Sequence, residues 1–399
     1  MTTLSTFDPT DAGFLADPYP ALADLRRQGP LVWHEPWSTW LATDHATVSA
    51  VLKNRAFGRL WNDWEPVEQM EPFNTLHRNQ LMENEPPEHT RMRRLLAGAF
   101  GRGHVERMRP RIEALATDMV AALPDTFDVL AQYAEPMPVY VICDLLGVPR
   151  EDHEDLRRWS QAIVHMYEKD VDEATRTEAV EASTAFADYV REVIAMRRRA
   201  LSSGRGGEDL VSDLIAETDA GKGFSDDELV ATVVLLLNAG HEASVNTFGN
   251  GIHALLTHRD QLARVTSGDV PIDVALEELI RFDAPLQLFE RTATKDVQVA
   301  GQVVTAGQKV ACLMGSANRD PEVFADADTF DVGRDPNPHV GFGLGIHFCL
   351  GAPLARLELG ITLRALLDRF PDLVLAGESP RRPTWVLRGY ESIQVSAHD

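Results

Sequence analysis

Apolar residues recur at three- and four-residue spacings over most of the chain, and that period predicts helices. It is sustained over residues 107–123, 151–166, 172–201, 226–256, 274–282 and 354–370. Two-residue alternation is confined to short stretches at 31–34, 39–42, 297–299, 302–304 and 309–313, with 373–375 and 393–395 as a further pair. Gly301 between two of these stretches reads as a hairpin turn. Segments 61–87, 202–207 and 325–345 follow neither period and read as loops, the second a short surface connector after Arg197-Arg198-Arg199. No repeat or low-complexity tract breaks the pattern. The expected fold is mainly α with small β-sheets, a single domain over residues 1–399.

One predicted helix breaks its own rules halfway along. Ser225-Asp226-Asp227-Glu228 opens it with a capping box. At roughly 30 residues it is ~45 Å long, enough to cross a whole domain. Its apolar run at 233–237 then gives way to Asn238-Ala239-Gly240-His241-Glu242-Ala243-Ser244. A helix-interior glycine costs about 1 kcal/mol relative to alanine, and a carboxylate among apolar groups needs a partner. Two such breaks at one place point to function.

Composition narrows the field. Hydrophobic content of 44% and charged content of 25% are those of a globular protein. A formal charge of −23 argues against nucleic acid or anionic lipid as a partner, since both call for concentrated basic surface. The first residues lack a basic segment followed by an apolar one, and no apolar run approaches the ~20 residues that span a bilayer. Cys143, Cys312 and Cys349 are odd in number and far apart, so neither a disulfide framework nor a paired metal motif follows. A soluble protein of the reducing cytoplasm, without a membrane anchor, is expected.

Candidate chemistry concentrates around one thiol. Phe342-Gly343-Leu344-Gly345-Ile346-His347-Phe348-Cys349-Leu350-Gly351 precedes Ala352-Pro353, which opens an amphipathic helix. A cysteine at a helix N-terminus is favoured as thiolate by backbone N–H groups and the helix dipole. Gly343, Gly345 and Gly351 allow turns and close approaches that a Cβ would block. Elsewhere Glu278 and Arg281 stand three apart on one helix face, which taken alone is an ordinary ion pair. His89 and Arg93, four apart after Pro86-Pro87, point the same way and suit an anion, although a solvated basic face has the same spacing.

In their order and spacing these segments resemble the cytochrome P450 family, from about Asp17 to the C-terminus. The resemblance implies one domain with a long central helix over haem b, Cys349 as axial ligand of the iron, and Phe342, Gly343 and Gly351 around it. It implies propionate contacts from His89, Arg93, Arg291 and His347, and a structural lock of Glu278, Arg281 and Arg334. Gly240, Glu242, Ala243 and Ser244 correspond to the oxygen-binding motif, where local helix opening is implied. Ala243 departs from the family, which has there an alcohol that helps deliver protons for O–O cleavage. Ser244, a water held by Glu242, or a hydroxyl on the substrate could substitute, but Ser244 lies about 100° around the helix. Trp61, Trp64, Phe73, Tyr167, Leu236, Ala239, Leu286, Phe289 and Trp385 fall in the family's variable substrate regions and favour a hydrophobic ligand.

The implied activity is O₂-dependent hydroxylation or epoxidation of a hydrophobic small molecule in bacterial specialised metabolism. Electrons would come from a separate ferredoxin and its NAD(P)H-dependent reductase, with Arg94, Arg102, Arg107 and Arg109 beside Arg93 as a possible docking patch. A coupling or desaturating oxidase, or a peroxide-using enzyme, is the alternative that Ala243 keeps open.

Overall fold

The computed structural model describes residues 7–168, 171–204, 209–221 and 223–398. The expected helices form with small shifts at their ends: Arg102–Ala121, His153–Val164, Glu173–Ser202, Asp226–Thr257, Ile272–Phe282 and Ala352–Arg369. The connector at 202–207 lies partly outside the described residues. Ser225 and Glu228 form their capping box, with the Ser225 N–H 2.8 Å from Glu228 Oε2 and the Glu228 N–H 3.2 Å from Ser225 Oγ. The long helix is helical throughout Asp226–Thr257, so the local opening implied by the resemblance is not present. By length and composition it could cross a membrane, but 67% of its apolar stretch is buried in protein, as in a core helix.

The segment 61–87 is corrected from loop to structure. It contains the helix Val67–Arg78 and a 3₁₀ turn at Leu81–Glu83. Pro66 before the helix and Pro72 inside it hide the period, yet Met70, Phe73, Leu76 and His77 share a buried face.

Among the described residues, three small sheets accompany the helices. The largest has strand order Leu31–His34, Thr39–Ala42, Lys309–Leu313, Leu288–Ala293, Phe57–Gly58. Its one parallel pair sets Thr39 opposite Lys309 and Ala42 opposite Cys312. The strand Leu288–Ala293 escapes a period-two reading because Glu290 and Arg291 adjoin; it pairs antiparallel with Lys309–Leu313, Arg291 opposite Val310. Val297–Val299 and Gln302–Val304 form the expected hairpin, with Ala300 and Gly301 both at positive φ. The terminal pair sets Val395 opposite Leu375, and Thr126–Asp128 adds an unexpected third strand.

The chain gathers into two compact units. One combines Met1–Arg59, Glu113–Ala134 and Val245–Asp399; the other combines Leu60–Ile112 and Glu135–Ser244. Neither is a contiguous stretch, so sequence-local patterning carries no boundary signal. The cysteine turn, the sheets and the Glu278 helix belong to the first unit, the Glu242 segment to the second.

Candidate active site

The cysteine turn is fixed by its own backbone. The Cys349 N–H donates to the Phe342 carbonyl at 2.9 Å, and the Gly343 N–H to that of Val340 at 2.8 Å. Gly343 and Gly345 adopt φ of +67° and +74°, where a side chain is strained, and a Cβ on Gly345 would lie 2.4 Å from the Leu52 carbonyl oxygen. Gly351 differs: its φ of −79° suits any residue, and a Cβ there would meet only Cys349 Sγ, at 4.0 Å. Glycine at 351 therefore answers to no neighbour in the chain, but it would answer to a flat group laid against the sulfur. Cys349 is half-buried, whereas Cys143 and Cys312 are buried. Burial pushes both of those thiols up to about 12, with Asp144 adding to the effect at Cys143, so neither supplies a thiolate near neutrality.

Behind the turn, Glu278 and Arg281 are fully buried. Arg281 Nε and Nη2 donate to the two Glu278 carboxylate oxygens at 2.7 and 2.8 Å, and Nη1 donates to the Asn318 and Ala327 carbonyls at 2.7 and 2.8 Å. Arg334 Nε reaches Glu278 Oε2 at 3.2 Å, while Asn337 and the Asp331 N–H donate to the same carboxylate at 3.2 and 2.9 Å. A buried charge pair stands only when its remaining donors and acceptors are satisfied, and here they are. The expected lock of Glu278, Arg281 and Arg334 is thus assembled.

A second clamp was missed at sequence level. Glu277 accepts from Arg356 Nε and Nη2 at 2.6 and 2.7 Å, and contacts His339 Nε2 at 2.9 Å. His339 Nδ1 accepts the Gly341 N–H at 3.1 Å, so its proton sits on Nε2 and is donated to Glu277. The Arg356 guanidinium also lies 4.4 Å from the Phe342 ring centre. Burial alone would raise Glu277, but Arg356 and His339 hold it at about 2. The spacing of Glu277 and Arg356 gives no local signal, since they meet only in three dimensions.

The four proposed cations sit on three elements. His89, 2% exposed, and the half-buried Arg93 lie on the helix Glu88–Leu96. Arg291 is 4% exposed on its strand, and its guanidinium lies 5.4 Å from the Phe289 ring, which Arg59 approaches at 4.9 Å. His347 closes the 3₁₀ turn Gly345–His347. Among the described residues, no group of His, Cys, Asp and Glu side chains could hold a free metal ion.

On the long helix, Ala239 and Ala243 are exposed although the helix around them is mostly buried. Four residues apart, they share one face, and they leave it open with the smallest chiral side chain. Gly240 faces Ile142, where a Cβ would touch Cγ1 at 3.4 Å. Glu242 is buried, with Oε1 3.3 Å from His241 Nδ1. Ser244 is 8% exposed and lies off the open face. Leu236 is likewise buried.

Of the aromatic candidates, the second unit brings Trp61, Phe73 and Tyr167 together around His77, a residue that sequence reading passed over. Trp64 stacks instead under Arg176, 5.3 Å away. Leu286 is half-buried and bridges to Leu387. Trp385 is a correction: it is 2% exposed and ringed by Phe7, Phe14 and Trp37, which makes it core. Its apolar bulk gives the same sequence signal in either role.

The donor set fits haem. There is one half-exposed thiol at a helix N-terminus and a glycine with room beside that sulfur. A family model described as Cytochrome P450 matches residues 32–267 and 272–390. The chain is 38% identical to the cytochrome P450 monooxygenase PikC of Streptomyces venezuelae, over 96% of this chain and 91% of that one. It is 35% identical to 6-deoxyerythronolide B hydroxylase of Saccharopolyspora erythraea, over 99% of each. Among solved structures, P450BioI in complex with an acyl carrier protein ligated to hexadec-9Z-enoic acid matches with a TM-score of 0.91 at 31% identity, covering 96% of this chain and 100% of that one. The chain belongs to the cytochrome P450 family and is a monooxygenase whose cofactor is haem b.

Proposed function

We propose that the enzyme inserts one oxygen atom of O₂ into a hydrophobic small molecule of bacterial specialised metabolism, by hydroxylation or epoxidation, and that Cys349 is its axial thiolate. The carrying observation is that Cys349 alone of the three cysteines is half-exposed, at a helix N-terminus and on a turn pinned by the Phe342 carbonyl. His89, Arg93, Arg291 and His347 would hold the haem propionates by charge-assisted hydrogen bonds. When bound, the haem supplies the redox chemistry of O₂. The chain's part is to orient, to exclude water and to meter protons.

The proton path is where this enzyme has its own character. Glu242 is the buried acid of the long helix, and Ala243 offers no hydroxyl beside it. A substrate hydroxyl or a water held by Glu242 then completes the relay, which makes coupling depend on the substrate itself. Residues 61–81, with Tyr167 and Ala239, would line the substrate pocket. Electrons come from a separate ferredoxin and NAD(P)H-dependent reductase, in keeping with a cytoplasmic location. Arg93, Arg94, Arg102, Arg107 and Arg109 would form the docking patch, although Arg109 is already engaged by Glu106 at 2.8 Å.

A ligand screen for the low- to high-spin shift, followed by product analysis, tests this reading. Oxygenated product is expected with ferredoxin, reductase and NAD(P)H. Turnover with hydrogen peroxide alone, or a coupled or desaturated product lacking new oxygen, would replace it with the second reading that Ala243 favours.

A further inference from the structure

A cavity of about 610 Å³ lies within the first unit, a volume in the range of small-molecule sites. None of the residues assigned above to haem, to oxygen or to substrate lines it. Its walls are the start of the helix Tyr19–Gln28, the last turns of the long helix from Asn250 to Thr257, the end of the helix Ile272–Phe282 and the segment 381–390. Asp283 on this lining is 6% exposed and is shared by two guanidiniums. It accepts from Arg388 Nε at 2.8 Å, from Arg381 Nη2 at 2.6 Å and from the Tyr19 hydroxyl at 2.8 Å. Burial alone would raise Asp283, but Arg388, then Arg381, hold it well below the usual carboxylate range, so it is ionised.

The three arginines of the cavity are not equally committed. Arg388, 2% exposed, directs its terminal nitrogens to the Leu15 and Ala16 carbonyls. Arg319, 5% exposed, gives Nε and Nη2 to the Phe282 carbonyl at 2.9 and 2.7 Å, and Nη1 to Asp328 at 3.1 Å. Arg381 differs, because its side chain keeps 20% exposure. One of its N–H groups goes to Asn250 Oδ1 at 3.0 Å and one to Asp283, and the guanidinium lies 3.7 Å from the Tyr390 ring centre, with a bond to that hydroxyl. A guanidinium has five N–H groups, so Arg381 has donors left over. The charges agree. With Arg319 answered by Asp328, two guanidiniums face the single carboxylate of Asp283, a surplus of one positive charge. Its field reaches His253, which burial and then Arg381 lower from 6.5 to about 4, so the imidazole is neutral. Asp17 also borders the cavity, but it is exposed and water screens it.

We propose that this cavity is a binding site separate from the haem site, for a small monocarboxylic acid with an apolar body, its carboxylate held by Arg381. Arginine–carboxylate bonds are charge-assisted and favour a planar, two-oxygen head. One surplus positive charge matches a monoanion better than the dianion of a phosphate ester. Pro20, Ala23, Ala254 and the Phe282 ring supply apolar wall for the rest of the molecule. Asp283 and Asn250 already hold the guanidinium in place, so the anion meets an ordered donor and binding carries little ordering cost. The site does not depend on the substrate or the proton relay proposed above.

Calorimetric titration of the haem-loaded enzyme with 3-phenylpropanoate, with its amide and with phenyl phosphate tests the site, the Soret band being recorded alongside. The acid is expected to bind with the Soret band unmoved, and the neutral amide about ten-fold weaker or more, as loss of a charge-assisted bond requires. Arg381→Gln should abolish that preference. Ala23→Trp, at a half-buried position of its helix, should fill the cavity and weaken the acid by a similar factor while leaving every charge in place. NMR titration of His253 gives a second readout: the bound anion offsets Arg381 and should raise the midpoint from about 4. No binding of the acid, equal affinity for acid and amide, tighter binding of phenyl phosphate, or binding that survives both variants would overturn the proposal. Should Arg381→Gln fail to fold, Ala23→Trp and the amide decide. An enzyme that shows the thiolate–carbonyl spectrum but ignores the acid loses this site and keeps its proposed function.

Discussion

The Glu278 network and the centre of the long helix are both buried and both charged, yet they are built on opposite principles. Around Glu278 every charge is answered: Arg281, Arg334, Asn337 and the Asp331 N–H converge on one carboxylate. At Gly240–Ser244 the acid Glu242 stands beside an exposed alanine face, with His241 Nδ1 3.3 Å away. The first arrangement spends charge on rigidity. The second sets a buried carboxylate beside small exposed side chains, where the proposed proton path would run. Breaking the first should cost the fold, and altering the second should cost only chemistry.

Glu278→Ala should have the largest effect. It leaves Arg281 buried without its partner, a loss of ~3–5 kcal/mol, and expression should yield little folded protein able to retain haem. A soluble variant with a wild-type melting curve would show that the network is dispensable. Arg356→Ala should come next, weakening the turn through Glu277 and Phe342 by about 1–3 kcal/mol. Thermal melting together with haem loss to apomyoglobin measures it, and unchanged haem retention would remove Arg356 from the scaffold.

Acid should weaken the fold more gently. Burial, then Arg381, lowers His253 from 6.5 to about 4 in the folded state, so its contribution is complete above pH 6.5 and declines as pH falls toward 4. Glu277 is depressed from 4.5 to about 2, so its contribution is present above pH 4.5 and is lost as pH falls toward 2. Melting temperature should therefore drop in two stages between pH 6.5 and 2, and His253→Phe should flatten the first. A single stage unaffected by that variant would contradict the assignment. Ala243→Thr should have the smallest effect on stability, well under 1 kcal/mol on an exposed helix face. With a substrate in hand it should keep product yield and reduce peroxide release. A large loss of product with unchanged binding would count against a relay built on substrate or water.

The cysteine turn and the Glu278 lock were legible in the chain because their parts recur at short range: Glu278 and Arg281 are three residues apart, and the turn carries its glycines within ten positions of Cys349. What stayed hidden has a common physical cause. Glu277 with Arg356 and His77 with Tyr167 are pairs made by tertiary approach, which no local period records. Pro66 and Pro72 concealed the helix that carries His77. Trp385 misled for the opposite reason, since an aromatic ring patterns alike whether it meets substrate or packs against Phe7 and Phe14. The intact long helix shows that a glycine and an acid break the propensity of a segment without breaking its hydrogen-bonded geometry.

The most direct test of the account is the absorption spectrum of the reduced protein under carbon monoxide, compared with that of Cys349→Ser. Wild type should show the red-shifted Soret band of thiolate ligation, and the variant should lose it while keeping its helical content. A wild-type protein without that band, or a variant that retains it, would contradict Cys349 as the ligand.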